Sequence, residues 1–206
     1  MGNKLTSILK FIFAVVFFPI LVAVSLSFSN ELQKLNPHLV FAFVWGIFTY
    51  LVIHLLLYEP APVYQKGQKI TEIVFKFFAP LVRVASFFLP IFTILLLTAF
   101  YLLTVFLNKP LRLEYQSYFM FFISLFMILH IVFTAASLRN RQTDFLKANY
   151  FFAMEFIYII NIGIIAGMFS LIFTEFSFLN FFNGACSITQ NIFVAVFNQL
   201  FQVKPK

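Results

Sequence analysis

The sequence predicts an all-α polytopic membrane protein, and three observations carry that expectation. Hydrophobic residues make up 62% of the 206 positions and charged residues only 10%. Long apolar runs fill most of the chain, each meeting the roughly 20 residues that a helix needs to cross the hydrocarbon. None of them alternates apolar and polar with a period of two, as the strands of a membrane barrel do.

The first run, Leu5 to Phe28, follows Lys4 and encloses Lys10 near its start, and is read as a retained first helix rather than a cleaved signal. The second is Leu39 to Tyr58, the third Phe77 to Leu107, the fourth Tyr115 to Leu138 and the fifth Tyr150 to Phe173. Five transmembrane helices are therefore expected in a single domain spanning 1–206. Pro19 and Pro90 fall inside runs, where a proline kinks a helix and frees carbonyls that neighbouring helices must satisfy. The tail from 176 to 203 is uncharged but dotted with Asn180, Asn183, Ser187, Thr189, Gln190, Asn191, Asn198 and Gln199. It is expected either to cross as a sixth span or to lie at the interface.

Connections are short, so no soluble receptor or catalytic domain is expected outside the membrane. The longest, Glu59 to Lys76, opens on Pro60 and Pro62, which predict an extended entry. Ile70, Ile73, Val74 and Phe77 then follow at helical spacing, predicting a short helix at the cytoplasmic face.

The net charge of +7 is assigned to orientation in the membrane and not to nucleic acid. With a cytoplasmic N-terminus, that side collects Lys4, Lys10, Lys66, Lys69, Lys76, Arg83, Arg139, Arg141 and Lys147, while the other keeps Lys34, Lys109 and Arg112. A bacterial inner (cytoplasmic) membrane is the expected location. The one cysteine, Cys186, has no partner for an intrachain disulfide, and the many phenylalanines are read as apolar filler.

Two constellations stand out within the spans. Gly163 and Gly167, extended by Ser170 and Thr174, form a ridge of small side chains, which predicts close helix contact within the chain or with another subunit. His54, Arg83, His130 and Glu155 are ionisable, and a charge at the bilayer centre costs on the order of 3 kcal/mol on insertion scales. His54 and Glu155 lie near helix ends and Arg83 can snorkel, whereas His130, Thr134, Ser137 and Arg141 make a polar stripe on the fourth span. The stripe predicts interhelical hydrogen bonding, with ion or proton conduction through His130 and Glu155 as the alternative.

A further set of motifs runs from Gly46-Ile47-Phe48-Thr49-Tyr50, through Pro60 and Pro62, to Tyr64-Gln65-Lys66-Gly67-Gln68-Lys69-Ile70-Thr71-Glu72. Ala85-Ser86-Phe87-Phe88-Leu89-Pro90 follows, then His130 to Thr134, Gln142-Thr143-Asp144 and Asn161. This order resembles small polytopic zinc metallopeptidases of the site-2-protease clan over about two thirds of the chain. In that family a Tyr-x-x-Gly is followed at once by an HExxH helix, whose two histidines hold zinc while the glutamate activates water. Here Gln68, Lys69 and Glu72 stand at those three positions. Glutamine is a poor zinc ligand, and lysine beside a dication cannot serve as the base. The connection from Glu72 to Ala85 is also shorter than the family's usual segment. The resemblance therefore implies a degenerate bundle that is not an enzyme, with no metal and no cofactor.

The expected function is that of a non-catalytic accessory subunit whose partners are other integral membrane proteins and lipid. No soluble small-molecule substrate is evident. Two alternatives are a transporter or channel component using His130 and Glu155, and a pseudoprotease that binds a membrane peptide without cutting it.

Overall fold

A computed structural model describes residues 2–56, 61–74, 88–107, 111–140 and 147–201 of the chain. The described residues form seven helices and no strand. They are α1 (Gly2–Leu32), α2 (Pro37–Leu56), α3 (Ala61–Val74), α4 (Ile91–Leu107), α5 (Leu113–Asn140), α6 (Lys147–Ile172) and α7 (Phe178–Leu200).

Four of these helices are long and apolar enough to cross a membrane, over Phe11–Leu32, Pro37–Leu56, Leu113–Arg139 and Tyr150–Ile172. Their outer faces carry large apolar side chains, including Phe11, Val15 and Phe18 on α1 and Phe41, Val44 and Phe48 on α2. A soluble monomer does not expose apolar surface on that scale.

The third expected span differs. Instead of one helix from Phe77 to Leu107, α4 begins at Ile91, after Leu89 and a buried Pro90 that are not helical. Residues 77–87 of that expected span lie outside the described residues. Proline lacks the N–H that a helix interior needs and fits a helix best at its start. Here the Pro90 carbonyl accepts the Ile94 N–H at 2.9 Å, so the proline opens α4. With 17 residues, α4 is about 25 Å long and falls short of the usual hydrocarbon thickness. Pro19, by contrast, sits within an uninterrupted α1.

The expected extended entry at Pro60 and Pro62 is corrected in part. Residue 60 lies outside the described residues, but Pro62 is the second residue of α3, again in the first turn where its missing N–H costs nothing.

The packing falls into two groups. α2 lies along α5, and α1 lies along both α6 and α7, while α4 leans on α5 and α6 and α3 sits against α4 and α5. A phenylalanine cluster joins the second group to α2: the Phe28 ring lies 6.1 Å from Phe43, 6.1 Å from Phe169, 5.8 Å from Phe176 and 6.3 Å from Phe181.

Close backbone approach is concentrated at glycines, as expected where lipid offers no hydrophobic drive to helix pairing. A Cβ on Gly46 would overlap Ser124 Oγ and the Phe121 carbonyl, so α2 and α5 touch nearly backbone to backbone there. At Gly184 of α7 a Cβ would lie 2.5 Å from Ser27 Oγ of α1. The ridge singled out in the sequence behaves differently: around Gly163 and Gly167 no described atom lies within 4 Å of where a Cβ would be. Ser170 turns its hydroxyl onto the Gly167 carbonyl of its own helix, at 2.7 Å. Among the described residues Gly163 lines an open groove with Ile20 and Val24 of α1 and Phe182 of α7, without the close contact made at Gly46 or Gly184.

Candidate functional site

The polar residues of α3 and α5 meet where the two helices cross. Tyr64, Gly67 and Thr71 are buried and recur at three- and four-residue spacing, which defines the inward face of α3. Gly67 lets α4 approach closely there, since a Cβ would come within 2.8 Å of the Phe92 ring and oblige that ring to shift. The expected short helix is present as α3, with Ile73 73% exposed and Val74 also exposed, so its apolar spacing marks an outward face. Phe77 lies outside the described residues.

A short hydrogen-bonded chain holds the crossing together. Gln68 Nε2 donates to the Tyr64 hydroxyl at 3.1 Å, and that hydroxyl lies 3.1 Å from Thr134 Oγ1. Both hydroxyls can donate or accept, so either can supply the proton of that bond. His130, one turn before Thr134 and buried, lies with its ring centroid 6.0 Å from that of Tyr64. Tyr64 also stacks on Phe133 at 5.4 Å, and His54 of α2 meets the other side of this cluster, 6.3 Å from Phe133 and 5.8 Å from Tyr50.

Among the described residues, Lys69 and Glu72 take no part. Both are exposed, on the side of α3 away from Tyr64 and Thr71. Of the three positions that stand where the HExxH residues would be, only Gln68 turns toward the bundle. Among the described residues, no three His, Cys, Asp or Glu side chains come close enough together to hold a metal ion.

The space at the crossing is small. Tyr64, Gln68, Thr71, Pro90, Phe92 and His130 are among the residues that enclose a cavity of about 10 Å³, at the lower limit of what one water occupies.

Asn161 of α6 ties the broken segment to the bundle from the other side. It is fully buried, and its Nδ2 donates to the Phe88 carbonyl at 3.1 Å and to the Ile157 carbonyl at 2.7 Å. Phe88 lies just before the Leu89–Pro90 break, so the amide satisfies a carbonyl that the break leaves without its helical partner. Glu155, one and a half turns earlier on α6, is also buried, and its Oε2 has no hydrogen-bond partner among the described residues. Ser137 is half-buried, while Arg83, Arg141, Gln142, Thr143 and Asp144 lie outside the described residues.

A second polar junction, which the sequence did not single out, joins α1 to α7. Glu31 is buried at the end of α1, pairs with Lys34, and accepts the backbone N–H of Ser177 at 3.1 Å. Ser177 in turn caps α7, its Oγ accepting the Asn180 N–H at 3.3 Å. One turn back on α1, Ser27 Oγ donates to the Phe181 carbonyl at 2.6 Å. The one available signal was an acid at the end of an apolar run combined with a serine before the tail helix.

No protein-family model, curated protein or solved structure matches the chain.

Proposed function

We propose that this chain is a non-catalytic subunit of a bacterial inner membrane, packing beside other integral membrane proteins with its N-terminus in the cytoplasm. The observation that carries the reading is the crossing of α3 and α5. Gln68, at the position resembling a zinc ligand of the site-2-protease clan, is spent on holding Tyr64 to Thr134, while Lys69 and Glu72 face away. Such a crossing serves helix packing and lacks the paired imidazoles and the carboxylate that zinc hydrolysis needs.

In this reading α4 is a fifth, shorter crossing, accommodated by tilt of its neighbours or local thinning of the bilayer. The side chains gathered at the crossing leave room for about one water, which disfavours the capture of a membrane peptide there. Extraction from native membranes in mild detergent is the test: the chain should copurify in fixed ratio with other integral membrane proteins. A particle holding this chain alone overturns the proposal.

One observation favours a second reading, a transporter or channel component. Glu155 is a buried carboxylate within a membrane-length helix, with one oxygen unpartnered among the described residues, and such groups mark ion or proton paths. Glu155→Gln and His130→Ala would each abolish flux in liposomes if that reading holds, and leave it unchanged if it does not.

A further inference from the structure

The outward face of α7 is divided in an unusual way. From Phe178 to Leu200 the helix has no ionisable side chain other than Cys186. At 100° per residue, Asn180, Asn183, Ser187, Gln190, Asn191 and Asn198 fall on one stripe, and all six are exposed, with Gln190 at its edge also lining the groove between α7, α1 and α6. Phe181 and Ala185, on a different side, are the buried residues of the helix. None of the six makes a side-chain hydrogen bond to another described residue beyond the capping contact at the Asn180 backbone.

The stripe does not sit at the surface of the bundle's end. α7 starts beside Glu31 and then runs antiparallel to α1: Phe181 and Gly184 meet Ser27, and Ala185 and Thr189 share a groove with Val24 and Ile20. From Ser177 to Thr189 the tail thus follows α1 for about 18 Å, alongside a segment long and apolar enough to cross a membrane, although α7, with its amide stripe, is not itself among the four helices that apolar. A helix lying in the headgroups draws on lysine and arginine, and α7 has none.

We infer that the amide stripe of α7 is a pairing surface for α7 of a second copy of this chain. Two copies with the same orientation in a membrane are related by a two-fold axis along its normal, which sets each stripe residue opposite itself. Only a group that both donates and accepts is its own complement, and asparagine, glutamine and serine are such groups. Identical charges would repel in that arrangement, and the stripe contains none. Hydrogen bonds between such side chains hold helices together in lipid, and the spacing of 180, 183, 187 and 190 follows the three-and-four pattern of a helix-pair seam. The inference rests on the reading of the chain as an assembly subunit, and adds that the assembly contains two copies in contact.

The test is oxidative cross-linking in native membranes in a Cys186→Ser background. A cysteine at Ser187, in the stripe, should give a disulfide-linked dimer, whereas a cysteine at the exposed Phe182, on the apolar side, should give at least several-fold less. Asn183→Leu with Asn191→Leu should lower the Ser187→Cys yield several-fold while leaving the thermal midpoint of the solubilised protein unchanged. Equal yields at the two positions, no dimer from Ser187→Cys, or labelling of that cysteine by a membrane-impermeant maleimide as fast as a loop cysteine would overturn the pairing. If the dimer is missing but the chain still copurifies with other membrane proteins, the pairing fails and the subunit proposal stands.

Discussion

Glu31 Oε2 accepts the Ser177 backbone N–H at 3.1 Å across 146 residues of sequence, binding the end of α1 to the start of α7. The carboxylate is buried and its other oxygen pairs with Lys34. Glu31→Ala leaves a partly buried donor without its acceptor, at a cost of about 1 kcal/mol. It should lower the thermal midpoint in detergent and expose α7 to protease. Glu31→Gln keeps an acceptor and should lose clearly less, and equal losses in the two variants would remove the hydrogen bond from the account.

Gly46 and Gly163 should respond oppositely to the same substitution. Gly46→Ala forces a methyl into Ser124 and the Phe121 carbonyl, and overpacking of this kind costs about 1–3 kcal/mol. Gly163→Ala meets open space and should change stability by no more than about 0.5 kcal/mol. Thermal unfolding of the two variants side by side checks the contrast.

That contrast also marks how far the sequence could be read. Apolar run length alone located α1, α2, α5 and α6, because a membrane-crossing helix must satisfy its own backbone over a fixed thickness. The same reasoning could not place the start of α4, since a proline in an apolar run is compatible with either a kink or a break until the neighbouring Asn161 is seen to satisfy the Phe88 carbonyl. Glycine spacing found Gly163 and Gly167, but which glycine is touched depends on tertiary arrangement. The close contacts fell at Gly46, Gly67 and Gly184 instead. His130, Thr134 and Asn161 were legible as buried polar residues because such groups stand out against an apolar span. Tyr64 as the partner of Thr134, 70 positions away, was not, and neither was the inward face of α3.

Tyr64→Phe and Thr134→Val should be energetically coupled. Each removes one end of a buried hydrogen bond worth about 0.5–1.5 kcal/mol, so the double variant should be less destabilised than the sum of the singles. Strict additivity in a double-mutant cycle would show that the two hydroxyls do not interact.

Asn161→Leu is expected to be more damaging than either of those, because it leaves the Phe88 carbonyl without its side-chain donor inside the bundle. A loss of about 1–3 kcal/mol is predicted, with faster hydrogen exchange at the start of α4 as the local readout. Wild-type exchange there would mean that the break at Pro90 is held by other contacts.

The central claim, that this chain works by packing among other membrane proteins, is tested most directly by the mass and composition of the particle released from native membranes by mild detergent. The account predicts an assembly well above the 24.0 kDa of one chain, containing other integral membrane proteins in fixed stoichiometry. A homogeneous particle made of this chain alone, in one copy or two, would contradict it.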